Sequence, residues 1–195
     1  MLGWSYGGLL AQCYALAYPQ HCLGLILVAT QSGLPEPVTT VDPAQRFISP
    51  AEQEAIDNVQ KKVSEGTVTI DAQVIYNKNL AGDWKRYSYY KPAKEEVIRK
   101  ALYEWSPAPG FEKLMRAESD TINLKGKFDG FKIPTLIIDA QWDFLLWWNP
   151  ERADLMRKNH SHAQFEIFEK SGHKIFADEP DKFFSILKKF ILSVQ

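Results

Sequence analysis

The feature that most restricts how this chain can fold is its opening octet, Met1-Leu2-Gly3-Trp4-Ser5-Tyr6-Gly7-Gly8. Gly3, Ser5 and Gly7 make a G-x-S-x-G pattern, and an apolar helical stretch from Leu9 to Tyr18 follows at once. The pattern predicts a nucleophile elbow, a sharp strand-to-helix turn with a serine at its tip. Such a turn strains the serine backbone and brings its neighbours two positions away close together. A Cβ at Gly3 or Gly7 would then clash as the helix folds back over the strand, so glycine is expected at both. The helix N-terminus aims free N–H groups and its positive dipole end at the serine oxygen. The Tyr6 N–H falls where a donor to a developing oxyanion is needed.

A serine hydroxyl is a weak nucleophile until a base takes its proton, and the base must be oriented by a third group. Both partners can be placed at strand ends. The run Ile133-Pro134-Thr135-Leu136-Ile137-Ile138-Asp139-Ala140 reads as a buried strand, and Asp143 lies just past its carboxyl end. Gln164 to Glu169 alternates as a strand with one wetter face. His173 follows it in Lys170-Ser171-Gly172-His173. Serine, then acid, then histidine is a known chain order for a catalytic triad. Asp139 is the rival acid, but it falls inside the strand. His160 and His162 flank Ser161 in a polar loop and read as solvated. His21, after Pro19, reads as a cap that complements a helix dipole.

Residues 6–18 read as a helix limited by Pro19. Leu23 to Thr30 (LGLILVAT) reads as a buried parallel strand. A loop rich in Gly and Pro follows over 31–43. Ser49-Pro50-Ala51-Glu52 then opens the first of four helical segments, with Ser49 as N-cap and Glu52 as its capping-box partner. Among these segments lie Trp84, Tyr87, Tyr89 and Tyr90, read as core residues more readily than as pocket residues. Pro150 to Asn159 is a short helix. Pro180 to Leu192 is an amphipathic closing helix with Phe183, Phe184, Leu187, Phe190 and Ile191 on one side. Strands and helices alternate at both ends, which predicts an α/β layer with a parallel sheet. The core is assigned to 1–35 and 126–195. Residues 36–125 are assigned to a helical cap over the strand ends, where α/β sheets bind ligands.

Length and composition exclude several classes. A chain of 195 residues fits one domain with an inserted subdomain. The net charge is −1 and no basic stripe occurs, so no nucleic-acid partner is expected. The apolar runs fall short of a membrane span, and no charged segment precedes an apolar leader, so neither membrane nor secretion is expected. Cys13 and Cys22 make no disulfide framework, and Cys13 reads as a small buried hydrophobe. His21, His160, His162 and His173 lack ligand spacing with cysteines or carboxylates, so no metal is expected. Together these features place the protein in the cytoplasm and leave its oligomeric state open.

The blocks GWSYGG, LGLILVAT, PTLIIDAQWD and EKSGHKIFADEPDKFF resemble an α/β-hydrolase of the lidded type. Within that superfamily the chain resembles proline iminopeptidases and their relatives, over residues 3 to about 192. The resemblance implies Ser5 as nucleophile, Asp143 as acid, His173 as general base, a helical cap and no cofactor. It implies a small-molecule or short-peptide substrate. Aminopeptidases of this kind read the substrate amine with cap carboxylates, for which Glu95, Glu96, Glu104 and Glu118 are available. Each of these reads more readily as a solvated helix face. An esterase for small acyl esters is the alternative activity.

The sequence also departs from that pattern. It starts four residues before its serine, whereas the family carries several strands before the elbow. The loop holding the family's other oxyanion donor, of His-Gly type, is absent, and losing one such donor costs roughly 10²–10³ in turnover. LGLILVAT is expected to lack a flanking strand and to expose an unpaired edge, and Ser5 to lack the strand that holds its turn. The expectation is therefore a partial fold, with a catalytically impaired fragment as a further alternative.

Overall fold

The computed structural model describes residues 1–33, 121–143, 145 and 152–195, with 54, 58, 61–62, 65–67 and 117–118. The cap assigned to 36–125 lies almost wholly outside these residues. Trp84, Tyr87, Tyr89, Tyr90, Glu95, Glu96 and Glu104 lie outside them too.

Four parallel strands form one sheet in the order β1 (Leu2–Trp4), β2 (Leu25–Val28), β3 (Thr135–Ala140) and β4 (Gln164–Phe168). Spatial order follows chain order. Leu2, Gly3 and Trp4 pair with Ile26, Leu27 and Val28, and Leu25 to Val28 pair with Thr135 to Ile138. Leu136 to Ala140 pair with Gln164 to Phe168. Every side chain of β2 and β3 is buried, as parallel strands covered on both faces require. β4 lies at an edge, and Gln164 and Ile167 are exposed on it.

Alternate residues of the strands feed two cores. Leu25, Leu27 and Ile137 face α1 (Tyr6–Ala17) and α2 (Arg152–Asn159), and pack with Leu9, Ala15, Phe128 and Met156. Ile26, Val28, Leu136 and Ile138 face the other way, toward α3 (Ile175–Asp178) and α4 (Pro180–Ser193). There they meet Phe168, Ile175, Phe183 and Phe190. Fully burying one such side chain stabilises the fold by about 1.5–3 kcal/mol.

Several expectations change. LGLILVAT has no open edge: β2 is an interior strand with a parallel partner on each side. A three-residue strand is too short to recognise in sequence, yet it supplies that partner. Ser5 likewise keeps a strand before it, and its N–H donates to Val28 O at 2.9 Å. On α4, Phe184 and Ile191 are exposed, because the sheet covers only the arc centred on Phe183 and Phe190. The expected face was too wide. His160 is fully buried against the Phe128 ring, with centroids 4.0 Å apart, rather than solvated. His162 is exposed. His21 stands in the last turn of a short 3-10 helix, Pro19–His21, at a helix end as expected, and it also bonds the Tyr14 hydroxyl at 3.2 Å and stacks on Tyr18. Cys13 is half-buried, Cys22 is buried, and both are free thiols. No described helix is long and apolar enough to cross a membrane.

Candidate active site

Ser5 ends β1 and caps α1 with φ 54° and ψ −127°. A non-glycine residue at positive φ is strained, and here the surroundings impose it. The Ser5 carbonyl accepts from Gly8 N–H at 2.9 Å and from Thr30 Oγ1 at 2.6 Å. The two flanking glycines differ. A Cβ on Gly3 would strike the Gly7 carbonyl and lie 2.6 Å from Gly8 Cα, so the expected clash exists there. A Cβ on Gly7 would meet nothing within 4 Å, which corrects the expectation for that position. Gly7 points away from the strand into open space. Gly8, not singled out from sequence, is the second obligatory glycine, since its Cβ would lie 2.5 Å from Thr30 Cβ.

Asp143 follows the carboxyl end of β3, and His173 follows that of β4. The Ser5, Asp143 and His173 side chains converge at one rim of the sheet. Ser5 Oγ lies 2.9 Å from His173 Nε2, and His173 Nδ1 lies 3.1 Å from Asp143 Oδ1. The network assigns the tautomer: His173 Nδ1–H donates to the carboxylate, which leaves Nε2 to accept from the serine hydroxyl. Asp143 is fully buried and His173 is 5% exposed.

The loops that carry the acid and the histidine brace each other. Gln141 N–H donates to Phe168 O at 2.9 Å and Trp142 N–H to Ser171 O at 3.1 Å. The Trp142 indole donates to Glu169 O at 2.9 Å. Glu179 Oε2 accepts from Ser171 Oγ at 2.7 Å and from Lys170 N–H at 3.1 Å, while Asp178 Oδ2 accepts from Gly172 N–H at 2.7 Å. Trp4, next to the serine, donates its indole N–H to His173 O at 2.9 Å and packs on the imidazole.

One buried cation was not visible in the sequence. Arg152 of α2 is 1% exposed, and its Nη2 lies 3.0 Å from Asp139 Oδ1 and 3.6 Å from Asp143 Oδ2. Its Nη1 donates to Thr30 O. The two acids respond in opposite directions. Burial pushes the Asp143 carboxyl up, but the His173 charge and hydrogen bond, Arg152 and the Leu145 N–H outweigh it and hold it below the usual range. For Asp139, burial prevails over the attraction of Arg152 and raises it. Asp139 thus stands as the partner of a guanidinium, not of the imidazole.

Tyr6 opens α1, where the first N–H groups have no helical carbonyl to bond. Its phenol is raised by burial and by the nearby charge of exposed Glu118. Among the described residues, no group of three or more His, Cys, Asp or Glu side chains could hold a metal ion.

Comparison with known proteins places this geometry. The chain is 28% identical over 196 residues to a proline iminopeptidase of Saccharolobus solfataricus, covering 98% of this chain and 61% of that protein. It is 26% identical to a pimeloyl-[acyl-carrier protein] methyl ester esterase of Aeromonas hydrophila, covering 98% and 69%. Its fold matches a solved esterase from Exiguobacterium antarcticum with a TM-score of 0.65 at 21% identity, over 97% of this chain and 65% of that one. The chain therefore spans about two thirds of the length of these proteins. The profile of the alpha/beta hydrolase fold matches residues 1–180, and the chain belongs to that family.

Proposed function

We propose that this chain is a serine hydrolase that cleaves acyl bonds through an acyl-enzyme. The observation that carries the reading is the hydrogen-bonded line from Ser5 Oγ through the His173 ring to buried Asp143. In this mechanism Ser5 Oγ attacks the substrate carbonyl carbon while His173 Nε2 takes the hydroxyl proton. Asp143 holds the ring and stabilises the imidazolium that forms. The Tyr6 N–H donates to the carbonyl oxygen as it becomes an oxyanion. His173 then returns the proton to the leaving group, and a water activated by the same nitrogen releases the acyl group. No step calls for a metal or cofactor.

The leading substrate reading is a short peptide or arylamide with an N-terminal proline, acted on by an aminopeptidase resembling proline iminopeptidase. Its support is the 28% relative together with the four sequence blocks. In this reading residues 36–125 form the cap that selects the substrate. The second reading is a carboxylesterase for small acyl esters, favoured by the methyl ester esterase relative. A cytoplasmic location is part of this proposal, supported by the free thiols Cys13 and Cys22, which suit a reducing compartment.

A fluorophosphonate probe tests the chemistry. Labelling at Ser5 in the folded chain, lost in Ser5→Ala and His173→Ala, is the expected result. Folded protein that stays unlabelled would refute it. Proline and alanine arylamides set against a series of nitrophenyl esters then separate the two substrate readings.

A further inference from the structure

We propose that Arg152 is a positioning residue for the acid of the triad, and that Asp139 exists to hold Arg152 there. This rests on the serine hydrolase reading above. It extends that reading to a side chain outside the three reacting groups.

The two oxygens of Asp143 are held differently. Oδ1 is engaged twice, by His173 Nδ1 at 3.1 Å and by Leu145 N–H at 2.9 Å. Oδ2 faces Arg152 Nη2 at 3.6 Å, with the whole carboxylate shielded from solvent. A carboxyl group turns readily about its terminal torsion, so one satisfied oxygen does not by itself fix the other. A cation beside Oδ2 does, and it also offsets the cost of burying the charge. Asp139 sits two strand residues before the acid loop, inside β3, and ties the guanidinium at 3.0 Å. The third tie runs to the nucleophile: Arg152 donates to Thr30 O, and Thr30 Oγ1 donates to Ser5 O at 2.6 Å. One guanidinium thus bridges the acid, the strand behind it and the backbone of the elbow. Arginine suits the task because its planar fork donates in several directions at once.

A buried Asp–Arg pair could serve stability alone, so the test must read something that stability does not move. The bond that Arg152 keeps in place supplies that readout: the downfield NMR resonance of the His173 Nδ1 proton, which reports its bond to Asp143 Oδ1, is expected to broaden or disappear in Arg152→Met. Arg152→Lys, which keeps the charge without the fork, is expected to recover it in part. The Ser5 labelling rate is expected to fall about 10–100-fold in Arg152→Met and to recover only in part in Arg152→Lys.

Should Arg152→Met fail to fold, the double variant Asp139→Leu with Arg152→Met replaces the buried pair by apolar groups, and the downfield resonance is again expected to broaden or disappear. A resonance unchanged in position and width in whichever variant folds would overturn the proposal. The two readings fail separately. A native chain that is never labelled refutes the hydrolase, whereas the NMR resonance reports on Arg152 without turnover.

Discussion

Ser5 keeps a backbone conformation that costs an L-residue of order 1–3 kcal/mol, and its neighbours differ in how much they protect it. Gly3→Ala is expected to destabilise by about 1–3 kcal/mol and to abolish Ser5 labelling, because strand and helix must part to admit the methyl group. Gly8→Ala should behave alike through Thr30. Gly7→Ala should leave the thermal midpoint unchanged or slightly raised, since open space surrounds it and alanine favours helix. Ser5→Ala should cost at least about 10³-fold in turnover in an assay of whichever substrate class is cleaved. A separate expectation concerns pH. Burial lowers His160 to about 4, with the nearby His162 adding to the effect, while an unfolded histidine titrates near its ordinary 6.5. The unfolded chain therefore binds more protons between these values. Stability contributed by neutral His160 is complete above about 6.5 and is lost as pH falls toward 4, by at most on the order of 3 kcal/mol. Urea melts at pH 7 and pH 4.5 check this, and His160→Gln should flatten the difference. The members of the proposed triad were legible because Ser5 sits in a G-x-S-x-G pattern ahead of a helix, while Asp143 and His173 each follow a recognisable strand. His160 was not, because the groups that bury it, Phe128 and Gln12, belong to distant segments. Arg152 was hidden for the same reason: its own helix, RADLMRKN, reads as polar, and its partners lie on β3 and beyond β2.

At the level of elements, α4 shows what periodicity carries and what it omits. The spacing of Phe183, Leu187 and Phe190 announced an amphipathic helix, and Phe183 and Phe190 are buried against Phe168 and Ile175. The same spacing could not say how wide an arc the sheet would cover, so Phe184 and Ile191 were assigned inward although they face out. Two substitutions separate the positions. Phe183→Ala should destabilise by about 3–5 kcal/mol, and Phe184→Ala should stay within about 0.5 kcal/mol, both read from denaturant midpoints. α3 escaped the sequence reading because four residues carry no periodic signal. The loop before it mattered more: Asp178 and Glu179 fasten the histidine loop by accepting from Gly172, Ser171 and Lys170. Those acids stand just before the helix that opens at Pro180, and they also clamp the loop of His173.

The molecule as a whole presents a parallel sheet whose strands lie side by side in chain order, with helices on both faces. That architecture followed from the alternation of apolar runs and helices, while the position of the open edge did not. Among the described residues the sheet has two edge strands, β1 and β4, and Ile167 on β4 is 43% exposed. Unpaired strand edges recruit other strands, and Ile167→Lys should reduce any self-association through β4 in light scattering without altering the melting temperature by more than a degree or two. The register of β2 with β3 has a different bearing. Val28 pairs with Ile138, and Ala29 N–H bonds Ile138 O at 2.9 Å, although the long stretch between these strands intervenes in the chain. The strands that carry hydroxyl, imidazole and carboxylate are thus joined edge to edge by main-chain bonds. Under the proposed function, an insertion between these strands could lengthen, shorten or be exchanged over evolutionary time and change the substrate while the three side chains stay aligned.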